Sequence, residues 1–323
     1  MAVAAAVAVW GYLSLGVPMS STRTVRAIEV DPGMSGHAVA GLLDDAGLIR
    51  SRAWFLVAVR WRHSGVKFRP GLYHLRPDMT ALQILDALAG GRVADAWITI
   101  PEGYTVRQVA QRLETYRLGM AEGLVRETAD PGGLALDFPL PAGASLEGYL
   151  FPDTYRVPLR HGAEQTLIRL MLERFDQVVW RGALGGRQPA GALDLHGVIT
   201  LASLVEAEAK LERERPLIAG VLANRLKKGM RLQCDATVQY ALGDGRKPRL
   251  LDADLLTPSP YNTYLHEGLP PGPINSPGLA SIRAALHPAQ VPYLYYVARA
   301  DGSHVFSATF QEHQRAIQRV RQP

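Results

Sequence analysis

The 323-residue sequence is poor in the residues that build covalent and metal-bound sites. Its single cysteine, Cys234, excludes an internal disulfide, a zinc ribbon and a redox C-x-x-C motif, because each of these needs a pair of cysteines. Its nine histidines never occur with H-x-H or H-E-x-x-H spacing, so the sequence predicts no metal site. We therefore expect a protein that works without a metal ion or another cofactor.

The sequence also lacks a concentrated block of basic charge. The net charge of +5 is spread along the chain, mostly on arginine, and no stripe of Lys and Arg alternates with aromatic residues. A nucleic acid partner needs such a stripe with aromatic platforms, so we expect no nucleic acid. The excess positive charge is only a weak indication of an anionic polymer.

Charged side chains are absent from residues 1–22, and the segment before Pro18 is apolar. Its length is marginal for a membrane span and also fits the core of a signal peptide. The bulky Trp10 and Tyr12 and the position of the A-x-A triplets inside the apolar run disfavour cleavage. We predict an uncleaved transmembrane anchor over residues 1–18 and a linker over residues 19–26. A buried core helix is the alternative.

Three segments of the first third share one pattern: IEVDPGMSGHAVAGLL, YHLRPDMTALQILDAL and ITIPEGYTVRQVAQRL. Each predicts a short strand, a proline turn and a helix whose N-cap is Ser35, Thr80 or Thr105. The first two units, with the helix SRAWFLVAVRWRHSG between them, form a predicted module over residues 27–93. This pattern resembles the LysM carbohydrate-binding module; a generic α+β scaffold is the alternative. The third unit begins a larger domain over residues 94–323.

The rest of the chain predicts a mixture of helices and strands. Near the end, YLYYVA and HVFSATF flank ARADGS as a hairpin, and QEHQRAIQRVR follows as a helix. We therefore predict an α+β protein, in which a membrane helix and a small α+β module precede a larger mixed α/β domain.

Glu206 lies in an otherwise apolar or small stretch, LASLVEAEAK. No Gly or Pro interrupts the segment 198–214, so the sequence predicts a helix there. At about 100° per residue, Glu206 falls on the border of the apolar face, where a carboxylate is half buried. The alternative is an exposed glutamate paired with Lys210 one turn later.

Polar and aromatic residues gather between residues 145 and 280 at predicted loop positions. A stretch with six prolines, TPSPYNTYLHEGLPPGPINSPG, predicts a long preorganised loop of the kind used for binding. Tyrosine rings stack on sugars, and amide and carboxylate side chains bond to sugar hydroxyls. Ordinary turn chemistry is the alternative for each residue alone. The candidate substrate-binding residues are Glu147, Tyr149, Asp153, Gln233, Asp235, Tyr261 and Asn262.

Long motifs of this chain resemble the endolytic murein transglycosylases, the YceG-like proteins. The motifs are VEAEA, EGYLFPDTY, NRL..GM.LQ.D.TVQYALG and SPYNTY..EGLPPGPI.SPG..S..AALHPA..PYLYYVA, in that order. The resemblance implies that Glu206 is the catalytic glutamate. This chain has Cys234, Asp235 and Ala236 where the family often has Ser or Thr and then Asp-Pro. That departure makes Cys234 dispensable and leaves Asp235 in register.

The resemblance also implies a location and a reaction. A single-pass anchor would hold the protein in the cytoplasmic membrane, with the catalytic domain on the outer, periplasmic side. Peptidoglycan glycan strands would be the substrate, cleaved internally to leave 1,6-anhydro-muramyl ends. Cell-wall synthesis enzymes such as the penicillin-binding proteins would be partners.

Two other functions remain open from the sequence. One is a hydrolase in which Asp153, Asp235 or Glu147 activates water beside Glu206. The other is a non-catalytic peptidoglycan-binding protein in which the LysM-like module does the work.

Overall fold

The structure, a computed structural model, describes residues 1–62, 68–116, 118–159, 162–243, 247 and 249–321. Helices and short two-stranded sheets alternate along the chain, which confirms the mixed α+β prediction. The helices are α1 (Ala2–Gly16), α2 (Gly36–Asp45), α3 (Arg52–Arg62), α4 (Ala81–Ala89), α5 (Val106–Thr115), α6 (Ala121–Ala129), α7 (Ala163–Phe175), α8 (Leu195–Glu208), α9 (Arg215–Lys227), α10 (Asp235–Ala241), α11 (Leu279–Leu286) and α12 (Phe310–Arg321). The strands are β1 (Arg26–Val30), β2 (Gly71–Leu75), β3 (Asp95–Thr99), β4 (Thr154–Pro158), β5 (Tyr295–Ala298) and β6 (His304–Ser307).

The chain divides into two compact units. The first unit comprises residues 1–98, 116–119 and 156–166, and the second comprises residues 99–115, 120–155 and 167–323. Three of the points at which the chain passes from one unit to the other lie in the paired strands β3 and β4 and at the start of α7, and the other two lie between α5 and α6.

The first unit is built from two strand-turn-helix repeats. Strands β1 and β2 pair antiparallel, with Ile28 opposite Tyr73. Ser35 caps α2 and Thr80 caps α4 in a reciprocal capping box, so the predicted N-caps are confirmed. Helix α3 lies between the repeats as predicted, although residues 63–65 of that segment lie outside the described residues. The fully buried core side chains include Val39, Leu43, Phe55, Ile84 and Leu88.

Helix α1 packs on α3 and α4, with Gly11 against the Trp54 ring. Among its residues only Gly11 and Ser14 are buried, while Val7 and Trp10 are more than half exposed. It is therefore not a buried core helix. In the part of the chain that the structure describes, no helix combines the length and the apolar character that crossing a bilayer requires.

The second unit begins with the third strand-turn-helix repeat. Thr105 and Gln108 cap α5 reciprocally: each backbone N–H donates to the other residue's side chain. Helix α8 then packs against α9 and α11, and its residues Val198 to Val205 are all buried. At the chain end, β5 and β6 form the predicted antiparallel hairpin with Val297 opposite Val305, and α12 follows as predicted.

The helix around Glu206 is shorter than the sequence predicts. Helix α8 ends at Glu208, Ala209 is extended, and a 3-10 turn at Glu212–Glu214 leads into α9. The prediction of one helix through residue 214 was wrong because Pro216 lies in the first turn of α9, where proline favours a new helix start. The turn that results brings Arg215 back toward α8.

Candidate active site

Glu206 lies in the last turn of α8, and its side chain is only 7% exposed. The helix is positioned at its other end by Asp194, whose carboxylate accepts a hydrogen bond from the backbone N–H of Gly197. The predicted position on the border of the apolar face therefore holds, and the carboxylate is more enclosed than a helix border requires.

Two donors hold the Glu206 carboxylate. Arg215 Nη2 donates to Oε1 at 2.8 Å, and the backbone N–H of Gly278 donates to Oε2 at 3.0 Å. Arg215 is itself fixed, since its Nε donates to Ser281 Oγ at 2.8 Å. Lys210, the alternative partner from the sequence, lies beyond the end of α8 and is exposed. The ion pair that the structure describes for Glu206 is the one with Arg215.

A second carboxylate, Glu102, lies beside this ion pair. Its Oε2 is 3.9 Å from Arg215 Nη2. A Cβ atom at Gly278 would stand only 2.0 Å from Glu102 Oε1, so the carboxylate lies directly against the Gly278 backbone. Burial raises the pKa of Glu102, and the charge of Glu206 raises it further, while Arg215 lowers it. Arg215 therefore lies next to two carboxylates.

Sequence reasoning missed both Glu102 and Arg215. Glu102 follows Pro101 in the turn of the third repeat, where a carboxylate has an ordinary structural explanation. The departure of that turn from the DPG and RPD turns of the other repeats was the available signal. Arg215 lay at the end of a predicted continuous helix, and only the break after Glu208 brings it to Glu206.

The turn that carries Glu102 is paired with the proline-rich loop. The backbone N–H of Gly103 donates to Ser276 O, and the N–H of Ser276 donates to Tyr104 O, both at 2.8 Å. The Cβ position of Gly103 is 3.7 Å from Glu206 Cγ, so this turn forms part of the wall around the carboxylate.

The proline-rich loop, residues 257–278, has no helix or strand and docks on α8, which confirms the predicted long ordered loop. His196 Nε2 and Pro271 O lie 2.9 Å apart. The hydroxyl of Ser203 accepts the backbone N–H of Ile274, and its carbonyl accepts the Asn275 side-chain amide. These contacts lead along α8 to Gly278 and Glu206.

Asn262 and Tyr149, both predicted to bind substrate, are fully buried. Asn262 Nδ2 donates to the carbonyls of Leu255 and Thr257, and its Oδ1 accepts from the Tyr264 N–H. The side chain therefore holds the loop and has no surface to offer a sugar. The Tyr149 ring stacks on Phe138, so it belongs to the core. Both residues look available in a sequence because loop and motif positions do not reveal burial.

Glu147 is also buried, and its carboxylate lies against the first residue of α5, Val106. Both carboxylate oxygens lie within hydrogen-bond distance of the Val106 N–H, at 3.0 and 3.2 Å, and Oε2 lies 3.3 Å from the Tyr240 hydroxyl. Burial raises the pKa of Glu147 to about 7, against the hydrogen bonds, which lower it. The Tyr240 ring lies 4.9 Å from that of Tyr261, which is half buried.

The remaining candidates reach the surface. Asp153 forms an ion pair with Arg174 at 2.7 Å. Asp235 accepts a hydrogen bond from the Tyr264 hydroxyl. Gln233 is exposed and has a positive φ of 52°, and its backbone N–H donates to Thr263 O.

The hydrogen bonds and ion pairs of the described residues connect none of the three predicted water-activating carboxylates with Glu206. The carboxylate next to its ion pair is Glu102 instead. Within the described ranges, no three His, Cys, Asp or Glu side chains gather as ligands of a metal ion would.

Comparison with known proteins adds to this geometry. The model of the YceG-like family matches residues 28–319. The endolytic murein transglycosylase of Bacillus subtilis is 34% identical over 308 residues, which cover 91% of this chain and 84% of that protein. That of Streptococcus pneumoniae is 29% identical, with 91% of this chain and 58% of that protein covered. The crystal structure of a YceG-like protein from Listeria monocytogenes is 33% identical, with a TM-score of 0.58 over 91% of this chain and 99% of that chain.

Proposed function

The chain belongs to the YceG-like family, and we propose that it is an endolytic murein transglycosylase, which cleaves peptidoglycan glycan strands internally. The observation that carries this proposal is the enclosed carboxylate of Glu206, held by Arg215 and the Gly278 N–H against the docked proline-rich loop. An enclosed, oriented carboxyl group is what proton transfer to a glycosidic oxygen requires.

In the proposed reaction Glu206 acts first as acid and then as base. Its carboxyl group gives a proton to the oxygen between N-acetylmuramic acid and N-acetylglucosamine, and the bond from muramyl C1 to that oxygen breaks. The muramyl C6 oxygen then bonds to C1, and the Glu206 carboxylate takes the proton of the C6 hydroxyl. The products are a 1,6-anhydro-muramyl end and a free N-acetylglucosamine hydroxyl, without consumption of water.

Arg215 and the Gly278 N–H, which donate hydrogen bonds to Glu206, have a defined part in these reaction steps. Proton donation leaves a negative charge on Glu206, and Arg215 and the Gly278 N–H are already aimed at its two oxygens. Donors that are oriented before the charge develops lower the barrier without reorganisation. Arg215 and Gly278 therefore stabilise the carboxylate that links the two proton transfers.

Besides Glu206, the candidate residues that are half buried or exposed are the ones that can contact the substrate. Tyr261 is half buried with its ring against that of Tyr240, and Gln233 and Asp235 offer exposed polar side chains on the neighbouring segment. We assign these three residues to the glycan groove. The first unit is assigned to glycan binding as a LysM-like module, and penicillin-binding proteins are the proposed neighbours at the outer face of the cytoplasmic membrane.

The test is the chemistry of the products and its dependence on Glu206. Purified peptidoglycan treated with the protein should release fragments whose mass shows 1,6-anhydro ends. Reducing ends would instead indicate a hydrolase, and retained binding without turnover would indicate a binding protein. Glu206→Gln keeps the shape of the side chain but transfers no proton, so activity should fall by about 10³- to 10⁴-fold.

Glu208→Gln is the matched control on the same helix. Two positions further on, Glu208 lies roughly 200° around α8 from Glu206. Glu208 lies near the Tyr296 hydroxyl. Burial raises the pKa of that hydroxyl, and the charge of Glu208 raises it further. The Glu208→Gln enzyme should therefore stay far more active than Glu206→Gln. Equal activity of the two variants would remove Glu206 from the reaction.

A further inference from the structure

Glu102 has no part in the reaction as described so far, yet it lies against the groups that hold Glu206. We propose that Glu102 is a positioning residue that competes with Glu206 for Arg215 and thereby weakens the hold of the guanidinium on the Glu206 carboxylate. This inference rests on the proposed function, since it assigns a role in the same proton transfers.

The first support is the division of one cation between two anions. Arg215 Nη2 lies 2.8 Å from Glu206 Oε1 and 3.9 Å from Glu102 Oε2. The Nε of Arg215 donates to Ser281 Oγ and is not available to either carboxylate. A single guanidinium balances one carboxylate, so the group carries a net negative charge when both carboxylates are ionised. Two interacting carboxylates lose their protons in steps that belong to the pair.

The second support is the fixed position of Glu102. Both carboxylates contact the backbone of Gly278. Glu206 accepts a hydrogen bond from the Gly278 N–H, and the Glu102 carboxylate lies against the Gly278 Cα, where a side chain would collide with it. The turn that carries Glu102 is tied down by the two hydrogen bonds with Ser276. The backbone that carries Glu102 is therefore fixed beside the ion pair.

The third support is the balance of charge and exposure. The side chains of Arg215 and Glu206 are 13% and 7% exposed, whereas that of Glu102 is 51% exposed and exchanges protons with water. The charged groups that act on Glu102 come from three elements: Glu206 in α8, Glu212 in the 3-10 turn and Arg215 in α9. Two of the three are negative, which favours proton uptake.

The consequence of neutralising Glu102 has a definite sign. Without its charge, Arg215 serves Glu206 alone, and the site loses its proton at lower pH. The enzyme needs that proton for the first step. The alkaline decline in the activity of the variant should therefore begin at a lower pH than in the wild type. On the acid side, where the proton is present in either case, activity should change little.

The experiment compares pH–activity profiles for release of anhydro ends by the full-length protein. Glu102→Gln should lower activity at least about threefold on the alkaline side and move the alkaline limb to lower pH. Glu102→Asp keeps the charge and should restore most of the wild-type profile. High salt should reduce the difference between wild type and Glu102→Gln, because Glu102 is half exposed.

Glu114→Gln is the control for loss of a negative charge elsewhere in the second unit. Glu114 is an exposed residue of α5, and its variant should keep the wild-type profile. An equal shift in Glu114→Gln, or an unshifted or uniformly lowered profile in Glu102→Gln, would overturn the proposal. A wild-type protein that releases no anhydro ends would instead refute the proposed function, so the two failures are distinguishable.

Discussion

The burial of Glu147 makes the stability of the protein depend on pH. The residue is 5% exposed, and burial raises the pKa of its carboxyl group from an ordinary value of 4.5 to about 7. A folded state that keeps a proton which the unfolded chain has lost is penalised as the pH rises between these two values. The same group at the surface would carry no such penalty.

We predict that Glu147→Gln removes this pH dependence. The stabilising effect of the neutral carboxyl group is fully present below pH 4.5 and is lost as the pH rises through about 7. The wild type should therefore lose on the order of 2 to 4 kcal/mol of unfolding free energy relative to Glu147→Gln over this range. Urea denaturation of both proteins at several pH values measures the difference.

A constant cost of the Gln side chain does not affect this test, because only the slope with pH is compared. The extra amide N–H of Gln needs an acceptor, and its cost is the same at every pH. Parallel stability curves for the two proteins between pH 4.5 and 8 would show that Glu147 titrates as an ordinary glutamate.

Single residues differ in how far the sequence reveals them. The enclosed position of Glu206 was predictable, since helix periodicity placed it on the border of the apolar face. The burial of Asn262 and Tyr149 was not predictable, because only the fold shows that their polar groups bond to other groups of the protein. Glu102 and Arg215 meet through contacts that are distant in sequence, and local patterns carry no information about such contacts.

At the scale of elements, the proline-rich loop is positioned by one close approach of backbones. Gly148 has a φ of +85°, and a Cβ atom there would lie 2.4 Å from the Pro273 Cβ. The EGY segment and the PPGPI segment thus fit together only because position 148 has no side chain. Gly148 allows the close contact with Pro273, and the hydrogen bonds of Ser203 hold Ile274 and Asn275 against α8.

We predict that Gly148→Ala destabilises the protein by more than about 3 kcal/mol and displaces the loop. The cost combines a left-handed backbone with a collision that the proline ring cannot relieve. Gly143→Ala is the control: Gly143 has a similar φ of +75°, but a Cβ atom there meets nothing within 4 Å. It should cost only about 1 kcal/mol. Thermal unfolding of both variants gives the comparison, and similar losses would show that backbone strain alone matters.

Elements were predictable where their signals are local. The repeated strand-turn-helix pattern, its caps and the hairpin of β5 and β6 all follow from periodicity and turn residues, and the structure confirms them. The end of α8 did not follow, because Ala209 and Lys210 are acceptable helix residues. The chain leaves the helix there in favour of contacts that α9 makes with α8 and α11.

At the scale of the whole molecule, residues 1–18 remain the predicted membrane attachment. We expect the full-length protein to sediment with membranes and a variant starting at Ser20 to be released. The physical reason is the uncharged apolar segment, whose side chains Val7 and Trp10 stay exposed on α1. Fractionation followed by immunodetection measures both proteins, and an equal distribution of the two would contradict the attachment.

The surroundings of Glu206 are assembled from segments spread over most of the second unit, from the turn at Glu102 to the end of the proline-rich loop at Gly278. Contacts between residues so far apart in sequence carry a cost in loop-closure entropy, which opposes them before they stabilise the chain. A chain that is still being synthesised has Glu206 and Arg215 well before it has Gly278, which follows Glu206 by 72 residues. A chain that ends before Gly278 therefore carries Glu206 and Arg215 but lacks the backbone donor on the second carboxylate oxygen.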